Sequence, residues 1–198
     1  PEKQYHMYER RGIQFISHSH KRFPKRLKAI YDYPVGLFYI GKLPAQEEPV
    51  LAVIGARMCS AYGRHLAHTL SEALAQNGIS VVSGMACGID SNAQESCIKA
   101  GGNSYAVLGS GVDVCYPQEN RRLYEKLKTS GGLISEYPPG TPALPAHFPM
   151  RNRIISGLCD RVVVVEARKR SGTLITADLA LEQGRDVYAF PGRVDDVL

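Results

Sequence analysis

The residues best suited to chemistry follow apolar segments of the sequence, and their types suit phosphate binding. Ile54-Gly55-Ala56-Arg57 ends the first such segment. There the glycine opens the backbone to close approach, and the arginine offers a fork of charged donors. Ser171-Gly172-Thr173 follows a later segment and opens a helix, directly after basic residues that include Lys169. Because helix N-termini attract anions, we predict phosphate contacts at both places. The alternatives are a salt bridge for Arg57 and simple N-capping by Ser171. The predicted contacts are Gly55, Ala56, Arg57, Lys169, Ser171, Gly172 and Thr173.

Two further segments are candidates, each with an alternative. Ser83-Gly84-Met85-Ala86-Cys87-Gly88-Ile89-Asp90 predicts either a second anion cradle or a tight strand-to-helix turn capped by Asp90. Phe148-Pro149-Met150-Arg151-Asn152-Arg153 follows a proline-rich stretch at 137–149. An aromatic ring beside arginines can stack on a base and hold the nucleic-acid backbone. Alternatively, Phe148 is a buried anchor and the arginines point to solvent. These segments add Ser83, Gly84, Phe148, Arg151, Asn152 and Arg153 to the predicted site.

Several catalytic and cofactor motifs are absent from the sequence. Gly109-Ser110-Gly111 lacks the third glycine of the dinucleotide fingerprint, and neither GxxxxGK[ST] nor GxSxG occurs. The five cysteines form no CxxC pair, so they predict neither a zinc site nor a disulfide framework. We therefore predict no catalytic residue, no metal and no cofactor.

The elements that position these residues alternate between β and α patterns. Near-continuous apolar runs predict strands buried on both faces, at 51–55, 79–84, 104–109, 133–136, 161–166 and 187–190. A repeat of Leu66, Leu70 and Leu74 predicts an amphipathic helix between the first two strands. Further helices are predicted at 89–100, 119–128, 152–158 and 173–183. Two short strands at 12–17 and 36–41 precede the sheet and flank a basic stretch at 21–28, which we interpret as a solvated edge. The pattern predicts an α/β fold with a doubly wound, mostly parallel sheet and an N-terminal strand extension.

The length and charge of the chain limit the number of domains and the kinds of partner. The 198 residues suffice for one domain, which we assign to 12–198, with 1–11 as a residual tail and both ends resembling those of a trimmed piece. The net charge of +5 permits a polyanionic partner but also fits ordinary surface charge. No apolar run approaches the ~18 residues of a membrane span. We expect a cytoplasmic protein without membrane contact.

Six short segments of the sequence, taken in order, resemble the DprA/Smf family of DNA-processing proteins from bacterial natural transformation. Four are the segments above that begin at Ile54, Ser83, Phe148 and Ser171, the last continuing to Ala177. The others are Gly109-Ser110-Gly111-Val112-Asp113 with Tyr116-Pro117, and Phe190-Pro191-Gly192.

The resemblance implies an extended Rossmann domain that binds single-stranded DNA, protects incoming DNA and loads RecA onto it. It also implies homodimers, with no enzymatic activity and no required cofactor, and small helical domains on either side. Two positions depart from the family pattern. Ala56 stands where serine is usual, so a hydroxyl donor to phosphate is missing, and Gln94 stands where histidine is usual.

The alternative function is an enzyme. The predicted fold is similar to that of the nucleoside-monophosphate phosphoribohydrolases, whose PGGxGTxxE signature places a glutamate three residues after the threonine. Here Thr176 occupies that position after Thr173, and the absent carboxylate argues against this chemistry. A protein-interaction scaffold with secondary DNA contact is a third interpretation.

Overall fold

The computed structural model describes residues 7–168 and 171–192. Eight strands form one sheet: β1 (Ile13–Ser17), β2 (Gly36–Gly41), β3 (Val50–Gly55), β4 (Ser80–Ser83), β5 (Ser104–Val107), β6 (Gly131–Ser135), β7 (Arg161–Glu166) and β8 (Asp186–Ala189). The α-helices are α1 (Lys25–Lys28), α2 (Ala61–Gln76), α3 (Ile89–Lys99), α4 (Arg121–Leu127), α5 (His147–Leu158) and α6 (Gly172–Glu182). A 3₁₀ turn (Gln118–Asn120) precedes α4, and residues 7–10 are also helical.

The strand order is β1-β2-β6-β5-β4-β3-β7-β8. The six strands from β3 to β8 are parallel, and β2 joins the sheet antiparallel to β6, with β1 antiparallel to β2. The predicted doubly wound, mostly parallel sheet with an N-terminal extension is therefore confirmed. The chain leaves β3 toward β4 on one side and returns on the other side as β7. The boundary between β3 and β7 is thus a topological switch point, where α/β sheets open a crevice.

The link from β6 to β7 explains the proline-rich stretch. It carries the chain past β5, β4 and β3, and α5 packs across those strands on the way. The helix begins at His147, five residues earlier than the start predicted at 152. Pro149 lies in its first turn, where a missing amide hydrogen costs no helical hydrogen bond.

Helices cover both faces of the sheet. One core contains Ala52 and Ile54 of β3 and packs against α1, α5 and α6. The intervening Val53 points to the other face, which α2 and α3 cover. A third cluster places α4 over β5 and β6. Residues 151–158 of α5 are all buried, because the sheet lies on one side of this helix and α1 and α6 on the other.

Across residues 7–168 and 171–192, no helix is long and apolar enough to cross a membrane. The same residues contain no group of three or more histidine, cysteine, aspartate or glutamate side chains placed to hold a metal ion.

Candidate nucleic-acid interface

A cleft of about 520 Å³ opens at the carboxyl ends of β3 and β7. Its walls come from the segment after β3, Ala86 and Asp90 at the turn between β4 and α3, the first turns of α5 and α6, Arg168, and Tyr116. Nine of the predicted residues line it: Gly55, Ala56, Arg57, Phe148, Arg151, Asn152, Ser171, Gly172 and Thr173. The cleft therefore gathers segments that lie more than a hundred residues apart in the sequence.

Arg57 and Phe148 form the open part of the cleft. The Arg57 side chain is exposed, and its Cζ atom lies 5.7 Å from the centroid of the Phe148 ring. The Phe148 ring is half-buried and contacts Tyr116, with 5.4 Å between ring centroids. No carboxylate of the described residues forms an ion pair with Arg57, so the salt-bridge alternative does not hold there. An exposed cation beside two aromatic rings is an arrangement that suits a nucleotide.

Arg151 lies deeper and its guanidinium already has partners. The residue is only 5% exposed, and Nη1 donates to the carbonyl of Gly84 at 3.0 Å and to the carbonyl of Val107. Its Cζ atom lies 5.8 Å from the Phe148 centroid. Arg151 therefore joins α5 to the ends of β4 and β5 and contacts the Phe148 ring.

Burial also perturbs the ionisation of this inner wall. It lowers the pKa of Arg151 to about 10, which leaves the guanidinium charged at neutral pH. Burial raises the pKa of Asp90, although the positive charge of Arg151 opposes that shift. Asp90 accepts a hydrogen bond from the amide of Gly84 at 3.1 Å. A side chain at Gly84 would approach both charged groups within 3 Å, which explains the glycine.

The segment from Ser83 to Asp90 is a tight turn and not an anion cradle. Ser83 is fully buried, and its hydroxyl donates to the carbonyl of Val53 at 2.7 Å. The amides of Gly84 and Met85 already donate to Asp90 and Gln94. Ser83 and Gly84 do not line the cleft, so the prediction that they hold phosphate is corrected.

Gln94, one of the two departures from the family pattern, is part of the same turn. Its Oε1 atom holds the amide of Met85, and its Nε2 atom donates to the carbonyl of Tyr105 at 3.0 Å. Met85 has a φ of 55°, a left-handed conformation that non-glycine residues rarely adopt. Gln94 therefore stabilises a strained turn beneath the cleft. Ala56, the other departure, is buried, and its amide donates to the carbonyl of Glu166 at 2.8 Å.

The N-terminus of α2 is occupied by the protein itself. The Ser60 hydroxyl accepts from the amide of Gly63 at 2.9 Å, and the Glu166 carboxylate accepts from both the amide and the hydroxyl of Ser60. A carboxylate thus takes the place predicted for phosphate after β3. Gly55 has a packing role, since a side chain there would collide with Ile89.

The N-terminus of α6 differs from that of α2, where a hydroxyl and a carboxylate bind the first turn. No side chain among the described residues caps this helix, and its first turn contains no acid. The buried Ser171 hydroxyl has no partner among the described residues. Asn152 contacts the helix start through a long hydrogen bond to the carbonyl of Gly172, at 3.4 Å. Of the two helix N-termini predicted to bind phosphate, only that of α6 is open toward the cleft.

Arg153 lies outside the cleft. Its guanidinium makes a bidentate contact with Glu136, at 2.8 and 2.7 Å, and an ion pair with Asp32 at 2.9 Å. Its charge is therefore neutralised within the fold, and the predicted phosphate contact at Arg153 is corrected. The prediction for Lys169 falls outside the described residues.

Sequence reasoning missed several residues of the cleft. Arg168 is exposed at its rim and adds a positive charge, and Tyr116 adds a second ring. Arg168 directly precedes the predicted Lys169, and Tyr116 belongs to a quoted motif, so both could have been found by extending the segments. Thr176 also lines the cleft, with 3% exposure.

Comparison with known proteins identifies a family that matches most of the chain. The model of the family described as "DNA recombination-mediator protein A" matches residues 14–198. The chain is 46% identical over 176 residues to the DNA processing protein DprA of Streptococcus pneumoniae, covering 89% of this chain and 62% of that protein.

Two solved structures are similar along most of the chain. The crystal structure of DprA from Streptococcus pneumoniae superposes with a TM-score of 0.89 at 42% identity, covering 98% of this chain and 68% of that one. A structure of DNA processing protein A from Helicobacter pylori, which addresses its single-stranded DNA binding mode, gives a TM-score of 0.82 at 27% identity. That match covers 92% of this chain and 83% of that one. The chain spans 48% to 64% of the length of the three curated relatives it matches first.

Proposed function

Because the chain belongs to the family of DNA recombination-mediator protein A, the DprA/Smf family, we propose that its cleft binds single-stranded DNA. The observation that carries this proposal is the arrangement of Arg57 over Phe148 at the switch point. It supplies a charged donor and an aromatic face within reach of one nucleotide. The similar structure that addresses single-stranded DNA binding supports the same ligand.

In this proposal phosphate groups contact three features of the cleft rim. These are the guanidinium of Arg57, the exposed side chain of Arg168 and the uncapped first turn of α6 at Gly172 and Thr173. Ser171 stays a predicted contact, because its buried hydroxyl has no partner among the described residues and a turn of the side chain toward the cleft would let it donate to the same anion. Lys169 stays a predicted contact on the same loop.

Bases stack on Phe148, with Tyr116 beside it. Stacking accepts every base, because each base has an aromatic face. Binding is therefore directed to the backbone and tolerant of sequence. Arg151 and Asn152 act one layer deeper, where they position Phe148 and the start of α6.

The cleft is proposed to bind without chemistry and without a cofactor. Two placements support this: Thr176 stands where the phosphoribohydrolase signature has its glutamate, and Glu166 is bound to the N-terminus of α2. Incubation with nucleoside monophosphates, followed by chromatography for free base, tests the alternative. Release that requires Glu166 would contradict a binding function.

The proposal extends to what the family resemblance alone implies. The chain, as one domain from 12 to 198 of a cytoplasmic protein, would act in transformation or recombination by protecting single strands and passing them to RecA. Homodimer formation has the same support. Light scattering would report twice the mass of one chain, and RecA filament assays with the DNA-bound chain would report loading.

A titration of labelled single-stranded and duplex oligonucleotides of the same sequence tests DNA binding directly. With about three phosphate contacts on a single strand, log affinity should fall against log salt with a slope of about −2. A response that is flat with salt, or tighter binding of the duplex, would contradict the proposal.

A further inference from the structure

Most of the net charge of the chain is concentrated in one short segment. Residues 18–35 contain five basic side chains, Lys21, Arg22, Lys25, Arg26 and Lys28, and a single acid, Asp32. The segment therefore contributes 5 − 1 = +4 to a total of +5. The remainder of the chain is nearly neutral, although it includes the cleft.

The fold pairs two of these charges and leaves the others unpaired. Arg26 binds Asp160 at 2.7 Å, and Asp32 binds Arg153 at 2.9 Å. The remaining four basic side chains are exposed and form no ion pair within residues 7–168 and 171–192. The ring of Tyr31 is fully exposed. We define the basic patch as Lys21, Arg22, Lys25, Lys28 and Tyr31.

The basic patch is connected to the cleft through α5. Leu27 and Ile30 pack so closely on Gly157 that a side chain at Gly157 would have no room. Asn152, at the cleft, lies five residues earlier in the same helix, a distance of about 8 Å along its axis. Between them, the carbonyl of Asp32 accepts a hydrogen bond from Arg153. The segment after α1 thus lies beside α5 and extends toward the end of the helix that borders the cleft.

We propose that the basic patch is a second contact surface for single-stranded nucleic acid, reached by a strand that continues from the cleft over the segment between α1 and β2. Four unpaired cations and a free aromatic ring match the phosphates and bases of a single strand. The sequence alone predicts that the stretch at 21–28 is a solvated edge of the fold. The structure separates the neutralised Arg26 from its unpaired neighbours and leaves the ring of Tyr31, three residues after Lys28, fully exposed. This inference rests on the proposed function, because the cleft anchors the strand.

The test compares strand lengths and a charge-matched control. Lys21→Gln/Lys25→Gln lowers the net charge by two at the basic patch. Lys99→Gln/Lys126→Gln lowers it equally at exposed lysines that do not line the cleft. Each protein is titrated with oligothymidylates of about 5 and about 20 nucleotides over a series of salt concentrations. Loss of two phosphate contacts should reduce the magnitude of the salt slope by about 1.4 for the long strand.

For the short strand, which fits the cleft, the patch variant should bind like wild type. Tyr31→Ala should weaken long-strand binding at least about fivefold through the loss of stacking. Because Tyr31 is fully exposed, its loss leaves the fold intact. Equal long-strand affinity for wild type, both lysine variants and Tyr31→Ala would overturn the inference and leave cleft binding standing. If wild type binds neither strand, the proposed function itself fails.

Discussion

The guanidinium of Arg57 lies over the ring of Phe148, with 5.7 Å between the Cζ atom and the ring centroid. The cation and the ring come from segments separated by ninety residues and meet only because β3 and α5 converge at the switch point. In the proposed complex, a base stacked on Phe148 would take the place of Arg57 over the ring, and the guanidinium would turn toward the adjacent phosphate. We therefore expect the two side chains to contact the same nucleotide.

The ring of Phe148 provides the first prediction. Phe148→Leu should weaken binding of single-stranded oligonucleotides by about fivefold to a hundredfold, because one stacked base is lost. Phe148→Tyr keeps the aromatic face and should bind nearly like wild type. Phe15→Leu is the control, since Phe15 is an exposed ring on β1 that does not line the cleft. Fluorescence anisotropy at one salt concentration measures all four proteins. Equal affinities for Phe148→Leu and Phe15→Leu would exclude stacking at Phe148.

Arg151 should behave as a structural residue. Its removal leaves the carbonyls of Gly84 and Val107 without their donor and Asp90 without a nearby positive charge. Arg151→Met should therefore lower the free energy of unfolding by about 3–5 kcal/mol. Chemical denaturation of the variant beside wild type and Arg57→Ala measures the difference. Unchanged stability of Arg151→Met, combined with lost DNA binding, would make Arg151 a direct ligand of the phosphate.

Glu166 should also contribute to stability, through the N-terminus of α2. Its carboxylate accepts hydrogen bonds from the amide and hydroxyl of Ser60. Glu166→Ala should cost about 1.5–3 kcal/mol, the range for hydrogen bonds to a charged group. Asp178→Ala is a suitable control, because Asp178 is an exposed acid of α6. Thermal unfolding of both variants checks this, and a Glu166 variant as stable as the control would argue against the capping role.

Alkaline pH should destabilise the fold. Burial raises the pKa of Cys97 to about 11 and that of Cys159 to about 12, from an ordinary value of 9.0. At a pH between the ordinary pKa and the raised pKa, the folded state retains thiol protons that the unfolded chain releases. The free energy of unfolding therefore falls as pH rises. The stabilisation is complete below about pH 9 and is lost progressively toward pH 12. Denaturation under reducing conditions from pH 7 to pH 10.5 measures the slope. Cys159→Ala should flatten it, and an identical slope in that variant would contradict the assignment.

Local sequence patterns predicted the strands and helices, but not which strands are adjacent in the sheet or which distant residues are in contact. The apolar runs located every strand of the parallel sheet to within a few residues, because burial on both faces requires them. The strand order depends on crossovers that no short motif encodes. For the same reason the role of Glu166 was hidden, since Ser60 lies 106 residues away.

The segment from Phe148 to Arg153 shows the same limit at the level of side chains. Arg151 and Arg153 are two positions apart and equally basic, so the sequence assigns them the same role. In the helix they point about 200° apart. Arg151 consequently meets the ends of β4 and β5, whereas Arg153 meets Glu136 and Asp32. Partners that are distant in the sequence therefore decide the role of each arginine.

The affinity of Arg57 variants for a single-stranded oligonucleotide tests the central claim most directly. Wild type, Arg57→Ala, Arg57→Lys and the control Arg122→Ala are titrated at one salt concentration. Arg122 is an exposed arginine on α4 that does not line the cleft. Arg57→Ala should bind about tenfold to a hundredfold more weakly, because one charge-assisted phosphate contact is lost. Arg57→Lys should recover part of the affinity, since it keeps the charge and loses the fork. Equal affinities for all four proteins, with unchanged melting temperatures, would contradict a phosphate site at Arg57.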